Sequence, residues 1–285
     1  MADKHKKDQV DTTGHEWDGI EELDTPMPRW WLWTFYLTII WAIGYVIAYP
    51  AFPLVSGATK GLLGYSSRAE VAADIESINA ANKPFEDRIV ALELDQISSD
   101  GEVGAFAMNG GGAIFKNSCA QCHGAGAAGA KGYPNLLDND WLWGGSIDDI
   151  HTTITHGIRN ENDPDARYSE MPAFGDILEK PEIAMAAQYV LSLSGNETDA
   201  AAAAAGAEVF ADNCAACHGD DGTGDREQGA PNLTDAIWLW GGDLDTVTAT
   251  ITNSRFGVMP SWGDRLTEAQ IRQVAVYVHQ LGGGE

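Results

Sequence analysis

GAIFKNSCAQCHG at Gly112–Gly124 and GAEVFADNCAACHG at Gly206–Gly219 carry one pattern twice, with the cysteines 95 positions apart. Working outward, PNL at Pro134 recurs at Pro231 and WLWGG at Trp141 recurs at Trp238, both 97 apart. MPAFG at Met171 returns as MPSWG at Met259, and the helix of Tyr189 as that of Tyr277, both 88 apart. A repeat of this period means two small homologous domains. The step from 97 to 88 gives the first unit nine extra residues between WLWGG and the Met-Pro motif, and the charged stretch Asn160–Ser169 is their place. Each unit reads as helical at both ends. Phe115 and Phe210 precede a cysteine by four, one helical face leading into the C-x-x-C loop. Thr267 with Gln270 makes a capping box ahead of an apolar stripe of Ile271, Val274 and Val278. Pro181 opens the matching helix of the first unit, with Ile183, Ala187, Val190 and Leu191 on its buried side. NETDAAAAAAG links the units and runs into the second unit's first helix. No strand pattern of any length is present, so the expectation is a mainly α chain.

All four cysteines, Cys119, Cys122, Cys214 and Cys217, lie in C-x-x-C pairs, which leaves none for a disulfide framework. The residue after each pair is a histidine, His123 or His218. C-x-x-C-H is the attachment sequence for c-type haem. Two thiols add across the two vinyl groups of the porphyrin, and the adjacent His falls beneath the iron as proximal ligand. The covalent tether also lets a domain with a small core hold a large cofactor. A thioredoxin-like pair would sit in a βαβ context, which is absent. Zinc held by four cysteines would have to close a 91-residue gap and would leave both histidines unexplained.

Met171 follows His123 by 48 residues and Met259 follows His218 by 41, both within a small domain's reach. They hold equivalent positions among only six methionines, in a Met-Pro context that puts the sulfur on a loop. A thioether favours ferrous over ferric iron, raising the potential, and closes the iron to substrates, so His/Met ligation implies electron transfer. His151 and His156 have Thr248 and Asn253 at the repeat-equivalent positions, and His279 lies on the terminal helix, which sets them behind the methionines as ligands. The carbonyls of Pro134 and Pro231 are placed to orient the ligating histidines. The WLW tryptophans are expected as pocket wall, and Arg159 and Arg255 as partners of haem propionates or as solvated loop arginines.

Ahead of the repeat, WWLWTFYLTIIWAIGYVIAY at Trp30–Tyr49 is twenty residues without a charge. As a helix it covers about 30 Å, the hydrocarbon thickness of a bilayer. Trp30, Trp31 and Trp33 crowd one end and Tyr45 and Tyr49 the other, as the two headgroup zones favour. Pro50 and Pro53 stop it. The run is too long, and its leader too acidic, for a cleaved signal peptide. Lys4, Lys6, Lys7 and Arg29 before the span against Lys60 and Arg68 after it favour an N-terminus in the cytoplasm. Haem attachment by C-x-x-C-H takes place on the periplasmic side in bacteria, which agrees. Ser66–Ile97 reads as a helical spacer with a break at Pro84. The chain carries 17 basic and 42 acidic residues, a net −25, of which the 29-residue leader holds −4 and the remainder −21. Such a balance excludes nucleic acid as a partner and marks the soluble part as a face for a basic donor.

The chain closely resembles the dihaem membrane-anchored subunit, subunit III, of cbb3-type cytochrome c oxidases, over nearly its whole length. HEWDGIEELDTPMPRWW at His15–Trp31 is similar to that family's N-terminal signature, and YSSRAEVAADI at Tyr65–Ile75 to the segment after its anchor. The resemblance implies a single N-terminal transmembrane helix followed by two tandem cytochrome c-like domains. The layout is a leader 1–29, an anchor 30–52, a helical spacer 53–103, domains at 104–195 and 206–285, and a linker 196–205. It implies two covalently bound haems c, one on Cys119, Cys122 and His123 and the other on Cys214, Cys217 and His218, with Met171 and Met259 as sixth ligands. Each Met would serve its own unit's haem, or the two would be exchanged across the domain interface. No catalytic residue is expected in the chain itself. It would pass electrons from a soluble or anchored cytochrome c donor, by way of a monohaem sister subunit, toward a haem-copper subunit that reduces oxygen and pumps protons. Other readings are an anchored dihaem donor to another reductase or dehydrogenase, a dihaem peroxidase, which needs an openable iron, and a gas sensor.

Overall fold

A computed structural model describes residues 11–285. Lys4, Lys6 and Lys7, on which the charge count of the leader rests, lie outside the described residues. The chain forms two compact units, divided between Ala80 and Ala81.

Among the described residues the first unit opens with a hairpin of β1 (Thr12–Trp17) and β2 (Ile20–Leu23), paired antiparallel with Trp17 opposite Ile20. Asp18 and Gly19 both take the left-handed conformation at its turn, the arrangement an Asp-Gly hairpin turn requires. A second minimal ribbon pairs β3 (Pro53–Leu54) with β4 (Gly57–Ala58). The chain is mainly α as expected, but these two ribbons lie where no strand pattern was read. Every residue of these strands is exposed, so no buried face imposes an alternating apolar pattern. Between the hairpins runs α1 (Arg29–Ala48), 20 residues with none buried, long and apolar enough to cross a membrane. Its last carbonyls are met by the chain returning on them: Leu62 N–H donates to Ile47 O and Leu63 N–H to Ala48 O. Gly61 permits this approach: it sits at φ +69°, and a Cβ there would collide with Ala48 O.

The spacer is one helix, α2 (Ser67–Ala91), and it runs straight through Pro84. Pro84 and Ala80, whose carbonyl it frees, are both exposed, so water takes the place of the missing N–H and the break expected there does not occur. Beyond it, Ile89 packs with α3 (Leu94–Ile97) and α4 (Gly101–Ile114) through Ile97, Val103 and Ala107, joined by Ile147 and Val276. A π-helical turn, Phe115–Cys119, leads to α5 (Ala120–His123), and α6 (Ile147–His156) follows the first WLWGG. The remaining helices are α7 (Lys180–Leu193), α8 (Ala200–Asn213), α9 (Ala215–His218), α10 (Leu244–Asn253) and α11 (Glu268–His279). Side chains cap them where the sequence offers them. Asp100, Ser146, Asp199 and Asp243 each accept from a backbone N–H in the first turn, and Thr267 with Gln270 forms the expected capping box.

Two helix pairs organise the second unit: α7 with α8, and α4 with α11. They are related by the repeat. Gly206 of α8 fits against the backbone of Met185, and Gly111 of α4 against that of Gln273, 88 positions further on. Phe210 leans on Tyr189 at 5.1 Å between ring centroids, and Phe115 on Tyr277 at 5.5 Å. The partners, however, come from different repeats. Six residues, 194–199, separate α7 from α8, a connection short enough to hold them as a helical hairpin. That local pairing commits the last helix of the first repeat to the first helix of the second, and α4 and α11, at opposite ends of the repeat region, pair with each other.

Two cores result. One gathers Phe115, Leu136, Ile150 and Ile154 with Ile271, Val274 and Val278. The other gathers Phe174, Ile183, Val190 and Leu191 with Phe210, Val247 and Ile251. Each holds residues of both 104–195 and 206–285, so the repeat in sequence and the packing unit in space are offset by a circular permutation.

Candidate haem sites

Each C-x-x-C-H sits where a π-turn or a helix delivers it to one core. Cys119 and Ala120 pack on the Phe115 core, and Cys214 and Ala215 on the Phe210 core. His123 Nδ1 donates to the carbonyl of Pro134 at 3.1 Å, and His218 Nδ1 to that of Pro231 at 3.2 Å. A carbonyl can only accept, so Nδ1 carries the proton and Nε2 is left with its lone pair. This is the orienting bond the two PNL motifs led us to expect. Burial holds both imidazoles below their ordinary pKa, against the smaller opposing effect of the proline carbonyls, which keeps them neutral and fit to bind a metal.

The cysteines are unpaired. Burial, and to a lesser degree the partner thiol, pushes Cys119 and Cys214 up to about 11, the opposite of the depressed thiol of a redox-active C-x-x-C pair. Among the described residues the one group of three His, Cys, Asp or Glu donors gathered as for an ion is His156, Asp163 and Asp165, which contains no cysteine. The donor set therefore fits two thioether-tethered haems with a histidine beneath each and does not fit a four-cysteine metal site.

Each of the two methionines packs on the core of the other repeat's C-x-x-C-H. Met259 packs against the core that holds Cys119, and Met171 against the core that holds Cys214. Backbone geometry fixes each one from the other repeat. Ile158 and Met259 pair as a two-bond β-bridge, N–H to O in both directions at 2.9 and 3.0 Å. Gly157 beside it, at φ +75°, leaves no room for a Cβ under Met259 O. Ser254 stands 97 positions later, also left-handed at φ +58°, and its Oγ donates to Met171 O at 2.6 Å. Sequence reasoning passed over both residues, although the repeat offset alone aligns them. The rival histidines are engaged elsewhere: His151 Nε2 with Glu268 at 3.2 Å, His156 Nδ1 with Asp163, and His279 Nε2 with the backbone carbonyl of Glu285 at 2.9 Å.

The WLW motifs divide their tryptophans. Trp141 and Trp238 pack on the core of their own C-x-x-C-H. Trp143 reaches over to Gly229 and Trp240 to Gly132, equivalent glycines of the opposite repeat with no space for a side chain. The extra residues of the first repeat are tied back on α6. Arg167 pairs with Asp149 at 2.7 Å and donates to Trp143 O, and Arg159 N–H donates to Arg167 O. Neither Arg159 nor Arg255 makes an ion pair among the described residues. Arg159 lies over Trp143 and Phe256, and Arg255 over Trp240.

Residues 106–190 and 201–278 match the family described as cytochrome c oxidase, cbb3-type, subunit III. The chain belongs to that family. Residues 9–56 match the N-terminal domain of cytochrome oxidase-cbb3, FixP. The chain is 62% identical over 284 residues to the cbb3-type cytochrome c oxidase subunit CcoP of Cereibacter sphaeroides, covering 99% of this chain and 98% of that one. Rhodobacter capsulatus CcoP is 56% identical with 98% of each chain covered, and Sinorhizobium medicae FixP 50% identical with all of both covered. As a subunit III, the chain is a haem c cytochrome of an electron-transport complex, with one N-terminal apolar helix as its membrane anchor.

In this subunit the two repeats face each other across a cavity of about 530 Å³ lined by Asp140, Trp141, Thr223, Arg226, Asp235 and Ile237 among others. Arg226 at its rim holds Glu285 through two bonds of 2.6 Å. Burial first, then the charges of Asp235 and Asp138, pushes Asp140 up to about 6. A carboxyl raised in the folded state favours folding below its unfolded pKa of 3.8, and that contribution is lost as pH rises through about 6. Asp140→Asn should therefore stabilise the subunit at pH 7 by about 1 kcal/mol, after discounting for partial exposure, and give nothing near pH 4. Urea unfolding of both proteins at the two pH values measures this, and equal gains at both would remove Asp140 as the titrating group.

Proposed function

We propose that the chain is the membrane-tethered dihaem electron carrier of a cbb3-type oxidase, taking electrons from a periplasmic donor and passing them toward the oxygen-reducing haem-copper subunit. The observation that supports this best is the reciprocal arrangement of two C-x-x-C-H motifs, each oriented by a proline carbonyl and each faced by a methionine loop of the other repeat. In this reading Cys119 and Cys122 would tether one haem, with His123 and Met259 holding its iron. Cys214 and Cys217 tether the other, with His218 and Met171. The bound haem supplies a one-electron ferrous/ferric couple. The chain's own part would be to supply the histidine and thioether that hold each iron, exclude oxygen and peroxide, and keep the potential high through the thioether.

The apolar helix α1 anchors the subunit in the inner membrane with the N-terminus cytoplasmic and the haem domains periplasmic. Its partners in the complex are a haem-copper catalytic subunit and a monohaem cytochrome c subunit. The chain has no oxygen chemistry of its own. Purification through a tag on this chain tests the assignment. A polytopic subunit with b haems and copper is expected to come with it, and its absence from a detergent-stable preparation that retains both haems c would contradict the oxidase role.

The acidity beyond the anchor, −21 before any propionates are added, supports a basic donor. Electron delivery from such a donor should slow as ionic strength rises, because steering charges more than about 8–10 Å apart are screened at physiological salt. Stopped-flow reduction between roughly 10 mM and 200 mM salt reads this effect, and a flat profile would assign the charge to solubility.

A further inference from the structure

We propose that Arg159 is a positioning residue for both axial methionines, one guanidinium clamping the two exchanged Met loops. The proposal rests on the His/Met reading above. Arg159 Nε donates to the carbonyl of Ser169, and one of its terminal nitrogens donates to the carbonyl of Gly257 at 3.1 Å. Ser169 stands two residues before Met171, and Gly257 two residues before Met259. The two carbonyls are thus equivalent positions of the repeat, 88 apart, and a single side chain from the first repeat bonds both.

The surroundings of the side chain support the same role. Its guanidinium lies 5.8 Å from the ring centroid of Trp143 and 5.6 Å from that of Phe256. Phe256 is the residue 97 positions after Arg159, so the cation stacks on its own counterpart where the repeats face each other. Its charge is half-buried and makes no ion pair among the described residues, although the charge of Glu170 acts on it from further off. Two carbonyl dipoles and two aromatic faces hold it instead. The backbone of Arg159 is left-handed at φ +53°, a conformation that is strained for a residue with a side chain. It is held by the Arg159 N–H to Arg167 O bond of 2.8 Å and by the adjoining Ile158–Met259 bridge. A solvated loop arginine has no use for such a backbone, whereas a fork that must reach two fixed carbonyls does.

The consequence is coupling. Both methionine loops share one restraint, so loosening it should act on both haems together. Only the planar fork of arginine serves two carbonyls in fixed directions. A lysine retains the charge but not that geometry.

The test uses Arg159→Gln and Arg159→Lys in the full-length holoprotein. The readouts are the thioether-to-ferric charge-transfer band, the midpoint potentials of both haems, and CO binding to the ferrous protein. Both variants should keep two covalent haems and the native helix content. Both should lose band intensity, lower the two potentials together, and raise the CO-bound fraction at each haem about tenfold or more, as the loss of two hydrogen bonds to a charged donor implies. A response confined to one haem would overturn the shared clamp. Lowered potentials with the band intact and CO still excluded would overturn it in favour of a propionate partner. Full function in the Lys variant would show that charge, not the fork, is what matters. Met171→Leu and Met259→Leu serve as references: if they too leave the band and CO binding unchanged, the ligand assignment itself falls and the clamp with it.

Discussion

Met259→Leu is expected to leave both haems covalently attached while lowering the potential of the haem on Cys119 and Cys122 and opening that haem to CO. Its own repeat's haem, on Cys214 and Cys217, should be unaffected. The expectation follows from the packing of Met259 on the core that holds Cys119 and from its β-bridge to Ile158 at the end of α6. Leucine fills the same volume at a cost of about 1 kcal/mol or less, so the fold persists and the lost thioether is read cleanly. Met171→Leu should give the mirror result at the haem of His218. Potentiometric titration of the two variants separates the sites, since a leucine that shifts the haem of its own repeat would refute the exchange.

The second large effect is predicted at the helix crossings. A Cβ on Gly206 would stand 2.0 Å from the backbone oxygen of Met185, and one on Gly111 would stand 2.2 Å from that of Gln273. Neither neighbour is a flexible tip that can swing aside. Gly206→Val must part α7 from α8, uncover Phe210 at 1% exposure, and cost about 3 kcal/mol or more. Gly111→Val does the same to α4 and α11. Because each crossing supports a different core, Gly206→Val should impair haem retention at Cys214 and Cys217, and Gly111→Val at Cys119 and Cys122. Gly101→Ala, with nothing within 4 Å of the new methyl, is the control and should change thermal stability little. Haem stain and absorbance of the purified variants measure the outcome, and equal loss at both sites from either variant would contradict two separately supported cores.

Much of this was legible in the sequence, because repeat offsets carry three-dimensional information. The 95, 97 and 88 spacings gave the helix pairs their counterparts, placed Pro134 and Pro231 above the histidines, and located the extra loop at 160–169. What they could not give was which copy pairs with which. Phe115 meets Tyr277 and not Tyr189 because the link between α7 and α8 is short, and nothing in the pattern of either repeat distinguishes the two choices. The same blindness covers Gly157 and Ser254, which are unlike in chemistry and alike only in backbone geometry, and Arg159, whose partners are main-chain carbonyls. The spacer's break at Pro84 failed because an exposed carbonyl needs no helical partner. The β1–β2 hairpin escaped notice because its strands are exposed throughout, although Asp18-Gly19 was its signal.

The exchange of ligands is tested most directly in a chain that carries a single haem. With Cys119 and Cys122 both replaced by alanine, only the haem on Cys214, Cys217 and His218 remains. In that background Met171→Leu should abolish the thioether-to-ferric charge-transfer band, and Met259→Leu should leave it at full intensity. Loss of the band with Met259→Leu and its survival with Met171→Leu would return each methionine to its own repeat and contradict the account.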